Sequence, residues 1–175
     1  MNYKNIKSYN TEDIAVLKLT QSAPDYIKTV QLIDSSFTAF KSTENKNLDR
    51  TVLLSGYGTD IVKKKSSHYG EEAIASNDDV NDKTNGILRQ VGNIKVISYN
   101  ESEKQMRLDQ SKYKGACYGD SGGPAFIKRN SQVIQIGIAS RLTHYLGHCD
   151  KGSIYLNIIP YLEWIAEAQK SLIAE

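Results

Sequence analysis

The chain has 175 residues, which is the length of one globular domain with a substantial hydrophobic core. Its 22 lysines and arginines and 20 aspartates and glutamates give a formal net charge of +2, which offers no electrostatic basis for binding nucleic acid or a membrane surface. No apolar run is long enough to cross a bilayer, and residues 1–12 lack the apolar segment of a secretory signal peptide.

The first predicted element is a β-strand over residues 14–19, where β-branched and apolar side chains follow a polar segment. Asp13 stands directly before this strand, and on its own an aspartate in this position is a common residue at the start of a strand. Residues 24–47 are predicted to form a link, which contains a short alternating strand over 26–32 and a polar loop over 41–47.

A further strand is predicted over residues 50–58, and it ends in Gly56-Tyr57-Gly58. Residues 61–85 are polar and rich in turn formers, which predicts a long surface loop. We interpret the triple lysine at 63–65 as a solvated part of this loop rather than as a binding patch.

Two short strands are predicted over residues 87–91 and 94–97, with a turn at Gly92 and Asn93 between them. The helix formers of residues 101–108 predict a short helix after these strands. Later strands are predicted over 125–127, 133–140 and 152–158. Pro160 is expected to open a C-terminal amphipathic helix, because its fixed φ suits the first helical turn.

The stretch that organises the chain is Gly115-Ala116-Cys117-Tyr118-Gly119-Asp120-Ser121-Gly122-Gly123-Pro124-Ala125. Repeated glycine and a proline disfavour both helix and strand, so we predict a tight loop. Such a loop offers unshielded backbone N–H groups beside a hydroxyl and a carboxylate. Acyl transfer requires these groups, with Ser121 as nucleophile and the amides of Gly119 and Ser121 as donors to the oxyanion. The alternative is a glycine-rich turn whose serine has no chemical role.

This loop resembles the active-serine loop of the trypsin-like, chymotrypsin-fold serine peptidases, in which a cysteine shortly precedes Gly-Asp-Ser-Gly-Gly-Pro. Weaker matches to the same family occur elsewhere in the chain and in the order that the family shows. They lie at Asp13, Gly56-Tyr57-Gly58, 152–158 and 161–165. The resemblance implies an all-β fold of antiparallel β-barrels with a C-terminal α-helix. Residues 1–45 would be a remnant of the first, truncated barrel and the inter-barrel link, and residues 46–175 would form the largely complete second barrel.

The resemblance also implies a set of catalytic groups. Ser121 would be the nucleophile, Asp13 would orient a histidine, and the amides of Gly119 and Ser121 would form the oxyanion hole. Asp120 would pair with an amino terminus created by activation cleavage. Without that partner, the loop around Gly119 is expected to be disordered or zymogen-like.

A pocket for the substrate side chain is implied on both sides of this loop, formed by Gly115, Ala116, Tyr118, Ser140, Arg141, Leu142 and Ser153. Gly115 carries no charge where trypsin has an aspartate, so selectivity for lysine or arginine is not expected. Leu142 and Ser153 stand where members with deep pockets have glycines, which favours small apolar side chains. Arg141 departs from the aromatic residue that is common at its position.

The chain has two cysteines, Cys117 and Cys149. In the family, the cysteine four positions before the serine pairs with one in the following loop, so the resemblance implies this disulfide; two reduced thiols are the alternative. A disulfide implies an oxidising compartment, and therefore a secreted or periplasmic protein. No metal site is predicted, because His144, His148 and Cys149 lack a second well-spaced pair of ligands. The resemblance implies no cofactor.

The general-base histidine has no candidate at the position that the family requires. There the histidine precedes the aspartate, whereas His68, His144 and His148 all follow Asp13. Loss of the triad histidine costs about a millionfold in turnover, so the chain is expected to be almost inactive alone. We interpret it as the carboxy-terminal portion of a serine endopeptidase for protein or peptide substrates, with the histidine in a missing N-terminal barrel segment.

Two alternatives stay open at this point. The chain could be a non-catalytic pseudo-peptidase that serves as a protein-binding module, or one half of a two-chain enzyme whose histidine comes from a separate polypeptide. Neither nucleic acid nor a membrane is expected as a partner in any of these cases.

Overall fold

The computed structural model describes residues 3–8, 12–37, 51–58, 63–67, 70–74, 87–112, 114–144 and 149–174. The predicted loop at 41–47, His68 and His148 lie outside these residues. In chain order, the strands are β1 (Tyr3–Ser8), β2 (Ala15–Leu19), β3 (Gln31–Leu32), β4 (Thr51–Gly56), β5 (Lys63–Ser67), β6 (Gly70–Ile74), β7 (Arg89–Asn100), β8 (Gln105–Leu108), β9 (Pro124–Arg129), β10 (Gln132–Leu142) and β11 (Ser153–Asn157). One α-helix, α1 (Leu162–Ala174), follows the last strand within the described residues.

Six antiparallel strands close into a β-barrel. They follow one another in the order β11, β8, β7, β4, β9 and β10, and the pairing of β10 with β11 completes the ring. This barrel and the C-terminal helix confirm the all-β, chymotrypsin-like fold that the sequence predicted.

Alternating side chains fill the interior of the ring. Along β4, Val52 and Leu54 are buried while their neighbours are half-buried, because successive side chains of a strand point to opposite faces. The most completely buried apolar side chains come from other strands of the ring, namely Met106, Leu108, Ala125 and Ile136.

The turn predicted at Gly92 and Asn93 is wrong, because β7 runs unbroken through both residues. Asn93 has a left-handed φ of 60°, and the register between β7 and β4 shifts here, between the partners of Val52 and Leu54. An irregularity of this kind is a β-bulge, which bends a strand without ending it.

The helix predicted over residues 101–108 is also wrong. Residues 101–104 form a turn that Lys104 ends with a left-handed φ of 54°, and β8 follows. β8 pairs with β7 on one side and with β11 on the other. Barrel hydrogen bonds on both sides therefore override the helix propensity of this segment.

β9 and β10 form a hairpin beside the predicted active-serine loop. Their two-residue turn, Asn130 and Ser131, has φ values of 49° and 65°, as in the type I′ turn that matches the twist of paired strands. Since β9 begins at Pro124, this hairpin holds the end of the glycine-rich loop on the barrel.

Three strand pairings lie outside the ring. β1 and β2 form an antiparallel hairpin, and β5 and β6 form another in the region predicted as a loop. β3 pairs in parallel with Ile134 and Gln135 of β10, so the strand predicted over 26–32 is observed only at its end.

The helix joins the β1–β2 hairpin to the ring. Ile14, Leu156 and Tyr161 form a buried cluster, against which Trp164 and Ile165 of α1 and Ile138 of β10 pack. A 3₁₀ turn over Ile159–Tyr161 precedes the helix, with Pro160 in its first residues as expected. Within the described residues, no helix has the length and apolar character needed to cross a membrane.

Candidate active site

The glycine-rich loop has a defined path between β8 and β9. The amide of Asp120 donates to the carbonyl of Cys117 at 3.2 Å, and the amide of Gly123 donates to the carbonyl of Asp120 at 2.9 Å. Gly119 has a φ of 91°, a conformation that L-residues with a side chain rarely adopt. These short-range bonds turn the chain sharply, so that Ser121 is exposed at the crest of the loop.

The loop is also fixed to β10. The amide of Gly122 donates to the carbonyl of Ala139, and the amide of Ala139 donates to the carbonyl of Gly123, each at 2.8 Å. Among the described residues, no hydrogen bond involves the amide of Gly119, or the amide or hydroxyl of Ser121. Both amides and the hydroxyl therefore keep their hydrogen-bonding capacity for another molecule.

The Asp120 carboxylate is held by backbone amides. Its Oδ1 accepts from the amide of Gly58 and its Oδ2 from the amide of Cys117, each at 2.8 Å. A Cβ on Gly56 or on Gly58 would lie 2.0 Å or 2.6 Å from atoms of this carboxyl group, so both glycines are needed here. The loop is thus ordered around Asp120, while the pairing of Asp120 with a new amino terminus, and the zymogen-like state expected without it, stay predictions.

A cavity of about 300 Å³ lies beside the loop. Its lining includes every residue of the predicted substrate pocket except Gly115. The full lining is Ala116, Cys117, Tyr118, Gly119, Asp120, Ser121, Ala139, Ser140, Arg141, Leu142, His144, Ser153, Ile154 and Tyr155. Arg141 is exposed and donates to Oε1 of Gln105 at 3.0 Å, so its charge lies toward the rim.

Tyr155 forms part of the inner wall. Its side chain is only 2% exposed, and burial, with a smaller contribution from the Asp120 charge, raises the pKa of its hydroxyl far above the ordinary value. The hydroxyl is therefore neutral at physiological pH. Tyr155 is not among the predicted pocket residues, although it belongs to the predicted strand over 152–158 that matches the family pattern.

Gln110 is a second residue that the sequence analysis missed. It is the second residue after β8, and its side chain is completely buried behind Ala116 and Ser153, two residues of the cavity wall. Its amide group bonds to both of these residues and to the carbonyl of Cys149. No sequence motif marks it, since a single glutamine after a strand is usually a surface residue.

The disulfide between Cys117 and Cys149 is present, which confirms that prediction. Its Cα atoms are 5.2 Å apart, within the ordinary range for a disulfide. The bridge ties the glycine-rich loop to Cys149, which lies four residues before Ser153 of the cavity wall.

Asp13 lies beside the ring but is not part of the cavity lining. It is exposed, and no hydrogen bond or ion pair of the described residues involves it. The next residue, Ile14, is buried in the cluster that also contacts Ile138 of β10. Asp13 therefore directly precedes a residue that packs with Leu156 of β11 and Tyr161.

The residue before Asp13 is anchored by charge. Glu12 forms an ion pair with Lys104 at 2.9 Å, and the Lys104 ammonium lies 4.8 Å from the ring centre of Tyr161. The hydrogen bond from Lys104 holds the pKa of Glu12 below its ordinary value, and the same bond raises the pKa of Lys104. Burial, followed by the hydrogen bond with Glu12, raises the pKa of Tyr161 to about 12.

Comparison with known proteins agrees with this geometry. The sequence matches the family profile described as Trypsin over residues 1–165. Short segments of the chain are similar to coagulation factor XI of Bos taurus (39% identity over 54 residues), the venom plasminogen activator LV-PA of Lachesis muta muta (38% over 52) and testisin of Homo sapiens (40% over 52). These alignments cover 31%, 30% and 30% of the chain, and 8%, 19% and 16% of the respective relatives.

No cluster of three or more histidine, cysteine, aspartate or glutamate side chains suited to a metal ion occurs in the part of the chain that the structure describes.

Proposed function

Because the chain belongs to the trypsin family of serine peptidases, we propose that it is a serine endopeptidase that hydrolyses peptide bonds through an acyl-enzyme on Ser121. One observation carries this proposal. Ser121 is exposed on the wall of a cavity, and its own amide and that of Gly119 have no hydrogen-bond partner among the described residues.

In the proposed reaction, the Ser121 hydroxyl attacks the carbonyl carbon of the scissile peptide bond. The carbonyl oxygen becomes negatively charged, and the amides of Gly119 and Ser121 would stabilise that charge. Donors of this kind are worth roughly 10²–10³ in turnover each. The base that accepted the hydroxyl proton passes it to the nitrogen of the scissile bond, the amine leaves, and water hydrolyses the acyl-enzyme.

Asp13 is proposed to orient and stabilise the imidazole that accepts the proton of Ser121. The residues on either side of Asp13 are anchored, Ile14 in the cluster with Leu156 and Tyr161 and Glu12 by its ion pair with Lys104, and this fixed position supports the role. The histidine itself is proposed to come from a first-barrel segment outside residues 1–175, because no histidine of this sequence precedes Asp13. On this basis the chain alone has very low activity.

The domain division is proposed to follow the family pattern, with residues 1–45 belonging to the first barrel and the link and residues 46–175 to the second. The proposed division must allow residues 31–33 to pack on the second barrel, since β3 pairs with β10 and Ile33 belongs to the barrel core. Asp120 is proposed to set the shape of the loop around Gly119, through its bonds to Gly58 and Cys117.

The proposed substrate is a protein or peptide with a small uncharged side chain at the cleaved bond. The cavity wall supports this, because Ser153 and Leu142 are part of it and the carboxylate of Asp120, which also lines it, is bonded to the amides of Gly58 and Cys117. The disulfide supports an oxidising location, so we propose that the protein is secreted or periplasmic.

The test is covalent labelling with a fluorophosphonate, in which the serine oxygen bonds to phosphorus and fluoride leaves. We expect slow labelling of the chain at Ser121, detected by peptide mapping with mass spectrometry. Added imidazole should accelerate it, since an external base can take the proton that the absent histidine would accept. The Ser121→Ala variant should not be labelled, and Ser98→Ala, which changes an exposed serine of β7, should be labelled like the parent chain.

Two results would contradict the proposal. Labelling that persists in Ser121→Ala would assign the nucleophile elsewhere. No labelling of the folded chain in imidazole, combined with measurable binding of peptides, would favour the pseudo-peptidase that binds proteins without cleaving them.

A further inference from the structure

The side chain of Gln110 makes four hydrogen bonds in a fully buried position. Its Oε1 accepts from the amide of Ala116 at 2.9 Å and from the hydroxyl of Ser153 at 2.5 Å. Its Nε2 donates to the carbonyl of Ala116 at 2.9 Å and to the carbonyl of Cys149. A primary amide has two donor hydrogens and two acceptor lone pairs. The group is therefore saturated, and it has no hydrogen-bonding capacity left for a ligand.

These bonds join three separate segments behind the cavity. Ala116 belongs to the glycine-rich loop, Ser153 begins β11, and Cys149 is tied to the loop by the disulfide. Ala116 and Ser153 both line the cavity, whereas Gln110 does not. The buried amide thus lies directly behind the wall and holds its parts together.

Gln110 also occupies the space that a side chain at position 115 would need. A Cβ placed on Gly115 would lie 2.2–2.4 Å from three atoms of the Gln110 side chain, and Gly115 has a φ of 154°. Non-bonded heavy atoms do not approach this closely, so no side chain fits at position 115 while the Gln110 side chain keeps its position.

From this geometry we propose that Gln110 closes the substrate pocket from behind its wall, by holding Ala116 and Ser153 together, and is thereby a specificity-determining residue. It closes the pocket at the level of Ala116 and Ser153, and it presents no charge and no unused polar atom. The pocket therefore takes small uncharged side chains and excludes long or cationic ones. This proposal rests on the proposed peptidase function, because it assigns the side chain that is bound beside Ser121.

The proposal predicts how side-chain preference changes when the Gln110 amide is removed. In a Gln110→Ala variant, the amides and carbonyls of the former partners lose their hydrogen bonds and the pocket becomes deeper. A glutamine side chain that enters from the substrate can then reach Ala116, Cys149 and Ser153 with the same primary amide. The variant should therefore change the preference from alanine to glutamine.

The experiment measures the binding of product-like peptides Ac-Ala-Ala-X, in which X is alanine, glutamine or arginine, by NMR titration. All proteins carry Ser121→Ala, so the measurement does not depend on acylation. With Gln110 present, the alanine peptide should bind about tenfold more tightly than the other two, or more. With Gln110→Ala, the glutamine peptide should bind about tenfold more tightly than it does to the parent, or more.

The matched control is Gln135→Ala, at a half-buried glutamine of β10 whose side-chain amide, among the described residues, donates to the carbonyl of Gly137. It should leave the order of the three peptides unchanged. If Gln110→Ala does not fold, Gln110→Ser takes its place, since a hydroxyl can keep one of the lost bonds.

Either of two results would overturn the proposal: equal binding of the arginine and alanine peptides by the chain with Gln110, or an unchanged preference in a folded Gln110 variant. Failure of the peptidase proposal looks different. It would appear as absent fluorophosphonate labelling of Ser121, whatever the order of peptide affinities.

Discussion

The carboxylate of Asp120 accepts a hydrogen bond from the amide of Gly58, which lies 62 positions earlier in the chain and 2.8 Å away in space. Its second oxygen accepts from the amide of Cys117. Two amides from different segments thus satisfy one carboxylate. As a result, the shape of the loop that carries Ser121 depends on the end of β4 as well as on its own glycines.

The first prediction concerns this carboxylate. Asp120→Asn replaces one accepting oxygen by an NH₂ group, which would face a backbone N–H instead of accepting from it. Hydrogen bonds to a charged group contribute roughly 1.5–3 kcal/mol, so we expect the free energy of unfolding to fall by about 1–3 kcal/mol. Urea unfolding followed by circular dichroism measures it. Asp25→Asn, in an exposed turn, is the control, and equal stabilities of the two variants would contradict the prediction.

The second prediction concerns the disulfide, which joins residues 32 positions apart. Closing a loop of this length restricts the unfolded chain and stabilises the fold by about 3–4 kcal/mol in the chain-entropy model. Reduction with dithiothreitol should therefore lower the midpoint of urea unfolding clearly. A double Cys117→Ser, Cys149→Ser variant should unfold at the reduced midpoint and should not respond to the reductant. A midpoint that is unaffected by reduction would contradict the prediction.

The third prediction concerns acidic pH. The hydrogen bond from Lys104 lowers the pKa of Glu12 below its ordinary value of 4.5, so folding favours the charged form. The resulting stability is present above about pH 4.5 and is lost as the pH falls through the lower pKa of the folded state. Glu12→Gln should therefore lose less stability between pH 7 and pH 3 than the parent chain. Glu167→Gln, on the exposed face of α1, should retain the parent's slope.

The fourth prediction concerns alkaline pH. Burial raises the pKa of Tyr161 to about 12 from an ordinary value of 10, so folding favours the neutral phenol. This stability is complete below about pH 10 and is lost as the pH rises through 12. Tyr161→Phe should therefore be less sensitive to pH between 10 and 12, as measured by chemical unfolding. Tyr26→Phe, at a position 80% exposed, should follow the parent chain, and identical slopes for both variants would contradict the prediction.

The loop of the active serine could be predicted because its determinants are local. Gly119 needs a left-handed φ and Pro124 cannot donate within a sheet, so the residues themselves dictate a turn. The disulfide partner of Cys117 followed from the family resemblance, since only one other cysteine is available.

The two wrong predictions, the helix over residues 101–108 and the turn at Gly92 and Asn93, concern segments whose conformation depends on strands far away in the sequence. Residues 105–108 have helix propensity, but β7 and β11 flank them and supply hydrogen bonds on both sides. Asn93 is a residue type typical of turns, yet β7 continues through it and accommodates it in a β-bulge. Gln110 could not be found from the sequence, because its role depends on Ala116, Cys149 and Ser153 converging on it in space.

β3 has only two residues, and its position has a consequence for solubility. The pairing of β10 with β11 begins at Gly137, so the backbone of Ile134 and Gln135 would face water on that side without β3. Unpaired backbone of this kind recruits strands of neighbouring molecules and starts aggregation. Because Gln31 and Leu32 pair with this part of β10, its backbone is not available for pairing with a strand of another molecule.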